Sequence, residues 1–168
     1  MYNKIACIGS REAPPDVLKL MEDFGAYLAK KGDRISTGNA PGADQAYARG
    51  ANKIDPTKVD LYIPWPDFEK QAVVTGNVVI ATAPTWWFDE AKKHHPRWDA
   101  LSQGAKKLHA RNIGIGYQAK ATVYWANPNK VGGGGTGQAV RYSAANKIPL
   151  FDLAKPDIRA LIEKKVYG

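Results

Sequence analysis

The chain has 168 residues, a length that suits one domain, and its 24 Lys and Arg against 16 Asp and Glu give a formal charge of +8. Hydrophobic residues at 44% and charged residues at 24% exclude wholesale disorder, and 16 glycines with 11 prolines in no fixed period exclude a fibrous repeat. A single cysteine, Cys7, excludes an internal disulfide and a Cys-rich zinc site.

Taken in chain order, Ile5 to Ile8 is an apolar run stopped by Gly9-Ser10-Arg11, the pattern of a buried parallel strand that ends in a tight loop. From Pro14 the apolar residues Val17, Leu18, Met21, Phe24 and Leu28 recur at helical spacing until Gly32 ends the helix. Arg34 to Thr37 reads as a second strand, broken by Gly38-Asn39-Ala40-Pro41-Gly42. Ala43 to Ala51 then reads as a helix with Asp44 in its first turn. Val59 to Ile63 is a third strand. Residues 65–96, rich in Trp and Pro, read as an irregular excursion carrying short helices. A helix is predicted from Arg97 to about Ile115, and a strand over Ala121–Trp125. A Gly-rich loop through Gly132-Gly133-Gly134-Gly135-Thr136 leads to a helix from about Gly137 to Asn146. A strand at Ile148–Phe151 and a helix from Pro156 to Lys165 close the pattern. Strands alternating with helices predict an α/β fold: one Rossmann-like, doubly wound, mainly parallel sheet over residues 1–168.

In such sheets ligands bind beyond the carboxyl ends of the strands, where the strand order reverses. Three strand-ending loops carry glycine together with hydroxyl or charged groups: Gly9-Ser10-Arg11, Thr37 to Asp44, and Gly132 to Thr136. Absent side chains let backbone N–H groups approach an anion, and a helix starting just beyond adds its positive end. Thr37 and Thr136 add hydroxyl donors, and Arg11 adds a fork suited to phosphate. Gly9, Ser10 and Arg11 would form one wall of a pocket and the segment through Thr37, Gly38, Gly42, Ala43 and Asp44 its floor. Gly133, Gly134, Gly135 and Thr136 would form a phosphate cradle. The absence of a Gly-x-x-x-x-Gly-Lys-Ser/Thr stretch disfavours a P-loop nucleoside triphosphatase.

Several side chains carry two readings. Asp44 orients a ribose hydroxyl or stabilises developing positive charge; alternatively it caps the N–H groups of its own helix. Trp65, Trp86, Trp87 and Trp98 stack a base, or else pack the excursion or a subunit interface. The Lys92-Lys93 and Lys106-Lys107 pairs line a nucleic-acid track or form a solvated face. His94, His95 and His109 lack a metal-ligand spacing, so no metal is expected, and no cofactor is implied. Cys7, inside a strand, reads as a core residue. No apolar run is long enough for a bilayer and the N-terminus lacks a signal-peptide core, so the expectation is a cytoplasmic protein without a membrane partner.

Ile5-Ala6-Cys7-Ile8-Gly9-Ser10-Arg11 resembles the opening "VGSR" strand and loop of the DNA processing protein A family. Ser36-Thr37-Gly38-Asn39-Ala40-Pro41-Gly42-Ala43-Asp44 resembles that family's "SGxAxGxD" loop, Ala110-Arg111-Asn112-Ile113 is similar to its "RNR" segment, and Gly134-Gly135-Thr136 leads a helix as its late Gly-Thr loop does. The resemblance implies the SLOG superfamily, which joins that family to the LOG nucleotide phosphoribohydrolases. It also implies a Rossmann-like sheet with a nucleotide pocket, Arg111 as counter-charge to the ligand, and a homo-oligomer. The chain has no room for the helical and winged-helix domains that accompany DNA processing proteins. The LOG motif "PGGxGTxxE" has its catalytic Glu replaced here by Ala139 and its Pro by Val131, which leaves Asp44 as the remaining acid. The first expectation is therefore a nucleotide- or nucleotide-phosphate-binding domain. The alternatives are an N-glycosidase acting on nucleoside monophosphates through Asp44 and Arg111, and single-stranded DNA or RNA binding.

Overall fold

A computed structural model of the chain describes residues 3–130 and 134–168. Its six strands are β1 (Lys4–Cys7), β2 (Arg34–Thr37), β3 (Val59–Tyr62), β4 (Val78–Ile80), β5 (Ala121–Tyr124) and β6 (Leu150–Asp152). They form one sheet in the order β4-β3-β2-β1-β5-β6, and every pairing is parallel. The chain lays its strands outward from β1 to β4, then crosses back to place β5 on the other side of β1. Ala6 is in register with Ser36 of β2 and Thr122 of β5. The β1–β5 boundary is thus the point where the winding reverses, and the chain leaves these two strands toward opposite faces of the sheet, which opens a crevice at their carboxyl ends.

Helices cover both faces, as parallel strands require. On one side α1 (Pro15–Lys30), α2 (Ala43–Ile54) and α6 (Pro156–Tyr167) close over Ile35, Val59, Leu61 and Val123. α1 forms because Pro15 fits a first turn, Asp16 and Lys30 complement its two ends, and Val17, Leu20, Met21, Phe24 and Leu28 make one buried stripe. On the other side lie α3 (Thr85–Lys93), α4 (Gln103–Gly116) and α5 (Gly134–Ala145), packed around Trp87, Ala91, Ala110, Ile113 and Tyr142. Fully buried Cys7 belongs to the first of these cores, and burial raises its thiol pKa well above the ordinary range. Among the described residues, no helix is long and apolar enough to cross a membrane.

The sheet and its double winding match the expectation; four details differ. Residues 65–96 contain an edge strand, β4, where the sequence shows only an irregular excursion. β4 is three residues long and largely exposed, too short for a period-2 pattern to register. The helix expected from Arg97 starts at Gln103, because the Ser102 hydroxyl accepts from the Ala105 N–H and fixes the first turn there; Trp98–Ala100 forms a separate 3₁₀ turn. α5 begins at Gly134, so Gly134, Gly135 and Thr136 are its first turn and not a free loop. The last strand is displaced to Leu150–Asp152 by its pairing with β5, which sets Thr122 against Leu150.

Candidate functional site

The β1 end is threaded onto β5: the Ile8 N–H donates to the Val123 carbonyl and the Ser10 N–H to the Trp125 carbonyl, both at 3.0 Å. Between them Gly9 passes so close to α2 that a Cβ would lie 2.7 Å from the Ala43 Cβ and 3.1 Å from the Trp125 carbonyl oxygen. Only glycine fits. The Ser10 Oγ then accepts from the Glu12 N–H at 3.0 Å, and this turn leaves Arg11 exposed at the crevice. Gly42, at φ +88°, lies beneath the backbone of Arg11, where a Cβ would meet the Arg11 Cα at 2.8 Å. The first two predicted loops are therefore pressed against each other.

Arg111, on α4, is the centre of the arrangement. The residue is 7% exposed, and Nη1 donates to the carbonyls of Gly38 (2.6 Å) and Tyr62 (3.0 Å) while Nε donates to the Asn112 Oδ1 (3.1 Å). It also lies 5.5 Å over the Phe68 ring. Arg111 thus pins the loops that follow β2 and β3. Asp44 accepts from the Ala40 N–H at 3.2 Å, and burial raises its pKa, against the lowering influence of Arg111, Ala40, Thr37 and Arg11. Burial lowers the pKa of Arg111, with the charge of Asp44 opposing it. Asn39 Nδ2 ties the same loop to the Phe68 and Glu69 carbonyls.

These elements bound a cavity of about 440 Å³ outside β1 and β5. Of the sequence-predicted residues, Gly9, Ser10, Arg11, Asp44, Arg111, Gly134, Gly135 and Thr136 line it. Thr37, Gly38, Gly42 and Ala43 do not; they sit behind the wall and shape it, with Thr37 and Ala43 fully buried. Gly133 lies outside the described residues, as does Val131. Ala139, where the resemblance would place a glutamate, lines the cavity as a methyl group.

The sequence reading missed Glu12, His109, Asn112, Asn127 and Lys130, all of which line the cavity. Asn112 Nδ2 donates to the Gly135 carbonyl and to the Gln138 Oε1, joining α4 to the first turn of α5. Its position directly after Arg111 was the available signal. Glu12 accepts from Asn127 Nδ2 at 3.1 Å and from Lys130 Nζ, a bridge between the loops after β1 and β5 that holds the Glu12 carboxyl below its usual range. His109 is 8% exposed with Nδ1 buried and unpartnered, and burial lowers its pKa. Among the described residues no cluster of His, Cys, Asp and Glu is arranged to hold a metal ion.

Chemically, the cavity offers the exposed Arg11 guanidinium, carboxamides and the first turn of a helix, with the Lys130 ammonium paired to the Glu12 carboxylate and Asp44 largely withdrawn behind them. This composition suits an oxyanion with a polar, planar attachment.

No protein-family profile matches the chain, and no curated protein matches it. Among solved structures the fold is similar to that of DNA processing protein A from Helicobacter pylori, a protein described for its single-stranded DNA binding mode. The TM-score is 0.64 at 18% sequence identity, over 96% of this chain and 79% of that one. At that identity the likeness is one of fold: the chain has the DNA processing protein A-like, Rossmann-like α/β architecture.

Proposed function

We propose that this chain binds nucleotides through their phosphate, in the crevice beyond β1 and β5, and that its physiological guest is a single-stranded nucleic acid. The observation that carries the reading is the convergence of Arg11, Asn112 and Thr136, from three separate segments, on one cavity of about 440 Å³. Arg11 supplies the charged fork, the first turn of α5 at Gly134-Gly135-Thr136 supplies backbone and hydroxyl donors, and Asn112 fixes that turn. The +8 charge favours a polyanion. The fold it shares with DNA processing protein A from Helicobacter pylori, which binds single-stranded DNA, favours a strand over a free mononucleotide.

Asp44 acts in this reading as a brace for the loop after β2, since its carboxylate is buried and accepts from Ala40. Ala139 leaves the wall without a carboxylate where the resemblance places one, and Glu12, the other carboxylate lining the cavity, is held by Asn127 and Lys130, so N-glycoside hydrolysis is not proposed.

The test is calorimetry with nucleoside monophosphates beside fluorescence anisotropy with a labelled oligothymidylate. Saturable binding is expected, with log K falling against log salt by about 0.7 per phosphate neutralised. A flat response at millimolar ligand, or oligomer binding unchanged by both Arg11→Ala and Thr136→Val, overturns the proposal.

A further inference from the structure

A second cavity, of about 230 Å³, opens at the carboxyl ends of β3 and β4. It belongs to the Trp- and Pro-rich stretch that the phosphate crevice leaves unused. Its walls include Pro64, Trp65, Trp87 and Phe88, with Lys107 and Arg111 as its charged members. Arg111 lines both cavities, so the two share a wall.

From these observations we infer that the second cavity is a nucleobase subsite, which takes the base of a nucleotide adjoining the one whose phosphate sits beyond β1 and β5. The inference rests on the phosphate-binding reading above. Three features select a base over other apolar occupants. The cavity is walled by aromatic and proline rings, which suit a flat π-surface. Its only charged members are cations, with no acidic residue among the described residues lining it, and this complements a group carried on a phosphate backbone. Finally, the two cavities open at the carboxyl ends of the strands and meet at Arg111, so one short strand can reach both.

The local packing presents Trp65 as a fixed platform. Its ring meets Phe68 edge-on at 5.5 Å between centroids, and Phe68 in turn lies under the Arg111 guanidinium. Asn39 holds the Phe68 and Glu69 carbonyls, so the segment carrying Trp65 is tied to the loop after β2. Trp65 remains half-buried and lines the cavity, whereas Trp87 is pressed onto Gly114 of α4, where a Cβ would lie 2.3 Å from the indole. Trp65 is therefore the stacking surface and Trp87 the back wall.

The experiment measures binding of 5′-phosphorylated dithymidylate by the full chain, and of the two analogues in which one base or the other is replaced by hydrogen. All three probes carry the same phosphates. In the wild type one of the two base deletions is expected to weaken binding at least about fivefold, the low end of a base–aromatic stack. In Trp65→Ala that deletion costs nothing, while the affinity of the base-deleted probe is unchanged. Trp65→Leu, which retains apolar bulk, gives the same result if the alanine variant does not fold, as read by circular dichroism. If neither deletion weakens wild-type binding, or if the loss persists in the Trp65 variant that folds, the base subsite is overturned and the phosphate reading stands. If none of the probes binds, both fall together.

Discussion

Arg111 and Asp44 close on the same empty position above Gly38: a Cβ there would lie 2.7 Å from the Asp44 Oδ2 and 2.8 Å from the Arg111 Cζ. The smallest side chain is thus the spacer between the two buried charges at the back of the crevice. Gly38→Ala is expected to destabilise the fold by about 1–3 kcal/mol, the usual cost of overpacking. Urea unfolding checks this, with a lowered midpoint at unchanged slope.

Arg111→Met removes both the carbonyl ties and the cation nearest to Asp44. The expected loss is about 3 kcal/mol, because a buried carboxylate is left without its counter-charge. Asp44→Asn in the same background restores part of the loss. A double-mutant cycle measured by thermal and urea unfolding gives the coupling between the two.

Arg11 is exposed and makes no ion pair among the described residues, so its removal touches binding and not folding. Arg11→Ala is expected to weaken nucleotide binding about tenfold, the cost of one charge-assisted hydrogen bond, and to leave the unfolding midpoint in place. The salt slope falls by about 0.7 if one phosphate contact is lost. Calorimetry across a salt series reads both.

At the opposite end of the sheet Lys4 donates to the Gly114 carbonyl (2.8 Å) and the Tyr117 carbonyl (2.7 Å), and burial lowers its pKa to about 8. The unfolded chain, with an ordinary Lys near 10.5, holds this proton more tightly than the folded one. Folding stability contributed by Lys4 therefore rises with pH between about 8 and 10.5 and is flat below about 8. Tyr47, Tyr124, Tyr142 and Tyr167 have raised pKa values and act in the opposite sense, so the comparison is with Lys4→Met. The wild-type gain over this window is expected to vanish from that variant's pH profile.

Much of the architecture is legible in residue order. β2 has the limits its sequence suggests, Arg34–Thr37, because a short stretch with β-branched Ile35 and Thr37 bounded by Gly32 and Gly38 has nowhere else to begin or end. The loops around Gly9 and Gly42 announce themselves for the same reason. Three things were hidden. β4 has three residues, largely exposed, too few for a strand pattern to register, so its pairing with β3 is what reveals it. Gly134 and Gly135 have poor helix propensity, yet α5 starts there, where Asn112 holds the Gly135 carbonyl from a neighbouring helix. Glu12, Asn127 and Lys130 belong to no motif, and they meet at the crevice only when β5 is laid beside β1.

That last placement has a consequence for assembly. Glu12 and Lys130 are 118 residues apart, and the wall between them does not exist until the crossover from β4 to β5 is complete. The opening stretch, with β1 through β4, owns the guanidinium of Arg11 but has no opposing bank. For the binding proposed above, occupancy by a guest is thereby reserved for molecules whose winding has finished, and a saturating guest would hold them there by mass action.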